Sequence, residues 1–266
     1  ASKKKVYEAL PFGRKNGQTL GFMSYGLKGD TLWVHDIVKD HFITMAHNGL
    51  DTASWTKLPV FYYWQQPLSK NLLLGIGDYY KDSYFKLSLT DVTNGKIVAQ
   101  YLPYSKDTSI MWTRFQKMKN ESFISLKPSS DKAIIASRYA NKIEIIDLTN
   151  GSSKIIQGVE NFEPQVDEMK GPDGVKIAVR TSKTSVDYLL VFSTDQYIYL
   201  LYSGKKDNGG IDVHKGNRIF VFDWNGNPKK ELLLPTLIDK FTISSDNNKI
   251  YFYNAKTNTI QKADIL

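Results

Sequence analysis

The chain has no cysteine in 266 residues. Disulfides, thiolate nucleophiles and cysteine-ligated metals are therefore excluded together. A reducing cytosol tolerates cysteine and exported bacterial proteins often lack it, so the absence leans weakly towards export. Histidine is also scarce. His35, His41, His47 and His214 show no paired short spacing of the zinc type, and His35 and His41 are expected on neighbouring strands, so no metal site is expected. No apolar run approaches the roughly 18 residues that a spanning helix needs. The start, Ala1-Ser-Lys-Lys-Lys5, has no apolar stretch behind it and does not read as a signal peptide. No serine sits in a Gly-x-Ser-x-Gly elbow. Gly75-Ile-Gly77 lacks the third glycine and the helix of a dinucleotide loop, and reads as close strand packing. The twelve-residue calcium loop is absent; Asp207-Asn-Gly-Gly-Ile-Asp212 offers oxygen ligands but reads as a flexible loop. The formal charge of +8 comes from scattered residues, with short runs only at Lys3–Lys5, Lys205–Lys206 and Lys229–Lys230. A nucleic-acid binder would gather them on one face with interleaved aromatics, so nucleic acid is not an expected partner. A basic terminal tail beside an anionic membrane surface would require that tail to be a tether.

What is present is a repeat. An apolar strand ending in Asp or His runs into an Asn-Gly turn at Phe42–Gly49, Leu87–Gly95, Ile143–Gly151 and Ile219–Gly226, with a turnless echo at Ile260–Asp264. Taking His47, Asp91, Asp147, Asp223 and Asp264 as equivalent, the spacings are 44, 56, 76 and 41 residues, and 49 on wrapping through the termini. Units of this size with four strands each are propeller blades. About twenty strand candidates, read from period-2 alternation between Gly, Asn, Asp and Pro breaks, give about five blades. The fold class expected is thus an all-β, single-domain β-propeller over residues 1–266, with five blades of four strands. A short helix is allowed within Ser109–Lys119. The 76-residue spacing is expected to hold two insertions, Val159–Gly174 and Gly204–Asn217. The last sheet is one strand short, and the N-terminal strand Lys5–Leu10 is expected to fill it and close the ring. In Asp-Val-Thr-Asn-Gly and Asp-Leu-Thr-Asn-Gly the Asp side chain can bond the turn backbone while Gly takes a left-handed conformation. The aspartates therefore read as turn anchors rather than catalytic carboxylates.

The stretches Thr194–Gly204, Asn217–Pro228 and Ile238–Tyr253, with Thr31–Asp36 and Lys127–Asp131, resemble the TolB-like six-bladed propeller family. That likeness implies a propeller, export, and residence at the periplasm or outer membrane as a lipoprotein anchored by a lipid that this chain does not carry. It implies no activity and no cofactor. It also names six blades where the spacing gives five.

Aromatic and polar groups alternate in Val60-Phe-Tyr-Tyr-Trp-Gln-Gln66, and Met111-Trp-Thr-Arg-Phe115 lies in a connector. Rings beside Arg and Gln suit sugar and peptide sites, so Tyr62, Trp64, Trp112 and Arg114 are the candidate ligand-binding residues. Packing between sheets uses the same residues: in a strand Tyr62 and Trp64 face away from Tyr63, so only one set can be packing. Two functions stay open. One is a non-catalytic, monomeric binding or scaffold propeller of the cell envelope, with a protein, peptide or glycan partner. The other is a carbohydrate-active enzyme of the five-bladed glycosidase type, which needs carboxylates about 5–9.5 Å apart on inner strands. The inner-strand candidates 21–25, 60–66, 123–126, 188–192 and 240–244 contain no Asp or Glu.

Overall fold

The structure is a computed structural model describing residues 10–46, 49–58, 61–77, 82–107, 109–158, 163–254 and 257–265. It is an all-β propeller fold whose sheets are consecutive antiparallel meanders. The first sheet holds β1 (Phe22–Lys28), β2 (Thr31–Asp36), β3 (His41–Ala46) and β4 (Gly49–Lys57); the second holds β5 (Trp64–Pro67), β6 (Leu72–Ile76), β7 (Phe85–Asp91) and β8 (Lys96–Pro103). After the helix α1 (Arg114–Lys119), the third sheet holds β9 (Ser122–Leu126), β10 (Lys132–Ser137), β11 (Lys142–Asp147) and β12 (Ser153–Gln157). A two-stranded hairpin follows, β13 (Val166–Lys170) and β14 (Lys176–Arg180). The fourth sheet holds β15 (Ser185–Ser193), β16 (Tyr197–Lys206), β17 (Gly216–Asp223) and β18 (Pro228–Ile238), with a 3-10 turn at Ile211–His214. The fifth holds β19 (Phe241–Ile243), β20 (Lys249–Asn254) and β21 (Thr259–Asp264). Five blade sheets therefore stand among the described residues, and the expected short helix is α1. The expected closing strand, Lys5–Leu10, lies almost wholly outside the described residues, as does His47.

Middle strands are buried on both faces and outermost strands are largely exposed. Leu72–Ile76 and Lys132–Ser137 are apolar nearly throughout, which suits a strand packed on two sides, whereas β12 and β21 expose most positions. The strand β4 was not among the sequence candidates. Its run Asp51-Thr-Ala-Ser54 is largely polar, and Ala53 and Trp55 pack, partly buried, against the cluster of Val34, Ile43 and Met45. The expected insertion at Val159–Gly174 carries a strand of its own: Val166–Lys170 pairs in register with Lys176–Arg180. It is not a blade, because β15 packs directly on β9 and β10.

The chain divides into two compact units, residues 1–80 with 87–100, and residues 81–86 with 101–266. In the first, Trp33 and Phe42 stack at 5.9 Å beside Leu58 and Leu73. In the second, Tyr199, Leu201, Ile219, Val221, Ile243 and Ile250 form the heart of one hydrophobic cluster.

The repeated aspartates anchor their turns. Asp91 Oδ1 accepts from the amide and hydroxyl of Thr93, and Asp147 Oδ1 does the same with Thr149. Asp223 accepts from the amides of Asn225 and Asn227. These hydrogen bonds favour the charged form and hold the Asp91 and Asp147 carboxyls below the usual carboxylate range. Gly151 closes its turn at φ +76° with open space where a Cβ would stand, whereas Gly226, at φ +78°, faces Ile156 Cδ1 at 2.3 Å from an ideal Cβ. Gly151→Ala is therefore expected to cost about 1 kcal/mol through backbone strain alone. Gly226→Ala should cost more, because Ile156 must also move. Urea unfolding of the two variants checks this, and equal costs would remove the packing contribution.

Candidate functional site

The second unit contains a cleft of about 320 Å³ built by four segments. Antiparallel pairing of β9 with β10 brings Glu121, just before β9, opposite Arg138, just after β10, and the Arg138 amide donates to the Glu121 carbonyl at 2.9 Å. The Arg138 guanidinium donates through Nη1 to Glu121 Oε1, and the Tyr139 hydroxyl donates to Glu121 Oε2 at 3.4 Å. Arg138 also lies 5.7 Å from the ring centres of both Phe123 and Tyr139, a cation–π arrangement that fixes its plane. Burial and the neighbouring Glu121 carboxylate push the Tyr139 hydroxyl well above its ordinary pKa, so it is a neutral donor at physiological pH.

The opposite wall is Val166 of β13 with Ala178, Val179 and Arg180 of β14, and Met118 of α1 completes the lining. The helix is held by a capping box, in which Gln116 Oε1 accepts from the Thr113 amide at 2.8 Å while Thr113 Oγ1 accepts from the Gln116 amide. Arg114 pairs with Asp173 in the hairpin turn at 2.6 Å, pinning the helix to the hairpin. Arg180 Nη1 lies 2.9 Å from His214 Nε2 and 3.2 Å from Asp207 Oδ2. Since a guanidinium can only donate, His214 Nε2 is the acceptor and Nδ1 carries the ring proton. Burial, then the charges of Arg138 and Arg180, lower the His214 pKa and keep the ring neutral. Both contacts of Arg180 use the one nitrogen Nη1, and Nε and Nη2 make no hydrogen bond among the described residues.

The four aromatic and basic candidates from sequence do not form one site. Tyr62 is 3% exposed and Trp64 8%, both inside the first unit. Tyr62 lies over Gly75 and its hydroxyl is 3.1 Å from Thr90 Oγ1. Trp112 stacks on Tyr104 at 4.3 Å, with its backbone bonded to Ser83. Arg114 alone adjoins the cleft, through the hairpin it pins. The acid-free inner strands need a correction: β15 begins at Ser185, not at Tyr188, and so includes the fully buried Asp187, which accepts from Ser185 Oγ at 3.0 Å. In the expected loop 204–217, Asp207 faces Arg180 and Asp212 faces Lys215, so both carboxylates already hold cations. Among the described residues no group of three or more His, Asp or Glu could hold a metal ion.

Sequence reading missed Glu121, Arg138, Tyr139 and Arg180 because no two of them sit in a motif. One signal was available. The chain has only five arginines among 35 basic residues, and three of them, Arg114, Arg138 and Arg180, meet at this cleft or its supporting hairpin. Arginine is the residue chosen where a planar, forked donor is needed.

Among solved structures, a putative exported protein of Bacteroides fragilis is similar at 13% identity, over 93% of this chain and 70% of that one, with a TM-score of 0.57. The β-propeller domain of Cps50 (Swd1) from Myceliophteria thermophila matches at 11% identity over 94% and 85% of the two chains, with a TM-score of 0.47. A catalytically inactive virginiamycin B lyase from Staphylococcus aureus, solved with quinupristin, matches at 14% identity over 91% and 69%, with a TM-score of 0.45. Identities this low speak for the fold alone. No curated protein matches the sequence. The model of the TolB-like 6-blade propeller-like family matches residues 1–246, nearly the whole length, and the chain belongs to that family.

Proposed function

We propose that the chain is a non-catalytic binding propeller of the bacterial cell envelope, and that its ligand docks in the cleft between α1, the β13–β14 hairpin and the Glu121–Arg138 end of the third sheet. The observation that carries this reading is the pairing of two walls: an aliphatic one of Met118, Val166, Ala178 and Val179, and a polar one of Glu121, Arg138, Tyr139 and Arg180. A concave, partly apolar pocket with a few convergent polar groups is what small-ligand sites share. Export is supported by family membership and by the similar Bacteroides fragilis protein, described as exported. The glycosidase alternative finds less support at this site. Glu121 is the one carboxylate in its lining and is engaged with Arg138 and Tyr139, whereas glycosidases need a pair.

The test is a peptide and glycan array probed with the intact protein and with Ala178→Trp, which fills the cleft from a half-exposed strand position. Binding to a defined set of probes that the tryptophan abolishes is the expected result. An array that stays blank, or hits that survive the tryptophan, overturns the assignment of the cleft.

A further inference from the structure

Resting on that reading of the cleft, we infer that its ligand is the C-terminus of a peptide ending in an aliphatic residue, with the terminal carboxylate held by the Nε–Nη2 edge of Arg180. That edge presents two parallel N–H donors, which match the two oxygens of a carboxylate. It is available because Arg180 spends only Nη1 on His214 and Asp207. Those same two contacts lock the guanidinium plane, so little rotamer entropy remains to be lost on binding. Arg138, by contrast, is occupied by Glu121 and sandwiched near two rings. It sets the polar character of the opposite wall without competing for the anion. The remainder of the lining decides what the carboxylate is attached to. Met118, Val166, Ala178 and Val179 are aliphatic, and the one aromatic ring, Tyr139, is 5% exposed and offers no open face for a sugar to stack on. An acidic sugar would bring the anion without the apolar body. An aliphatic C-terminal residue brings both, and the volume of about 320 Å³ has room for it.

The experiment measures binding of acetyl-Ala-Ala-Val as the free acid and as the C-terminal amide to the whole protein by calorimetry, with glucuronate as competitor. Arg180→Gln, Arg180→Lys and Ala178→Trp are run alongside, and melting curves verify that each variant is folded. The expected result is binding of the free acid, at least about ten-fold weaker binding of the amide, and a similar loss in Arg180→Gln, since a charge-assisted hydrogen bond is worth ten-fold or more. Arg180→Lys, which keeps the charge but not the fork, should also lose about ten-fold. Equal binding of acid and amide, abolished by Ala178→Trp, would sink the carboxylate assignment while leaving the cleft as the site. Binding indifferent to Ala178→Trp would sink both. No binding of any peptide, or glucuronate outcompeting the free acid, overturns the peptide assignment.

Discussion

Replacing Tyr62 by alanine is expected to destabilise the first unit by about 3–5 kcal/mol, the range for deleting a large buried ring. Tyr62 is 3% exposed, and its ring lies so close to Gly75 of β6 that an ideal Cβ there would sit 2.5 Å from the ring's Cγ. The contact explains the glycine in mid-strand. Gly75 is there to let an aromatic face approach the backbone, and Gly75→Ala should cost about 1–3 kcal/mol by overpacking. The two effects are coupled through one space. Removing the ring takes away the three atoms nearest a methyl at position 75, so the Gly75→Ala penalty should shrink sharply in a Tyr62→Ala background. Tyr62→Phe, which removes the hydroxyl that lies 3.1 Å from Thr90 Oγ1, should cost about 1 kcal/mol. Urea unfolding of the four corners of this cycle is the check. Additive penalties would mean that the ring and the glycine do not share a contact, and a Tyr62→Ala protein of unchanged stability would return Tyr62 to the list of ligand-binding residues.

Between pH 7 and pH 5 the protein is expected to lose about 2 kcal/mol of stability through His35 alone. The side chain is 1% exposed on β2, and its Nε2 lies 3.1 Å from Nε2 of Gln65 on β5. With the amide as donor, Nε2 is the unprotonated nitrogen, and Nδ1 has no partner among the described residues. Burial lowers the pKa from 6.5 to about 4, against the charges of Asp40 and Asp36, which act the other way. The native state therefore resists protonation while the unfolded chain accepts it. Stability is full above the unfolded value of 6.5 and declines as the pH falls from there towards 4, at up to 1.4 kcal/mol per pH unit. The two carboxylate oxygens of Asp36 accept from the amides of Leu20, Val38 and Lys39. Unfolding midpoints at pH 7, 6 and 5 for the native protein and His35→Gln provide the test. The variant's curve should be flatter by about 2 kcal/mol over that interval. The same decline in both proteins would place the acid sensitivity elsewhere, with His214 the next residue to examine.

Much of the blade organisation could be read in the chain because it is set by neighbours in sequence. Asp91 and Asp147 bond residues two positions on, and those hydrogen bonds need no tertiary structure. Runs such as Leu72–Ile76 and Ala133–Ala136 are apolar on both faces, and only a strand between two layers buries both. The same logic failed at β4 and β13. Their residues are largely polar, so their pairing with β3 and β14 rests on backbone hydrogen bonds that any residue type can make. It also failed for Tyr62 and Trp64. Aromatics on an expected strand fit a sugar platform and a core equally well, and it is their burial, with Tyr62 packed over Gly75, that decides between them.

The cleft lay beyond the reach of sequence for a different reason. Its lining spans Met118 to Arg180, and His214 and Asp207, which orient Arg180, come from the β16–β17 connection of the next sheet. The lining comes from several separate segments that no motif joins, and the hairpin that carries Arg180 interrupts the repeat. The sequence by itself determined the all-β class, the blade-sized repeat and the turn anchors, because turns and alternating strands are governed by interactions within a few residues. Only the tertiary structure decided which aromatics are core and which arginine keeps an open edge. Those outcomes depend on how whole sheets stack and on where an insertion folds back, and such contacts are fixed by the packing of surfaces distant in sequence.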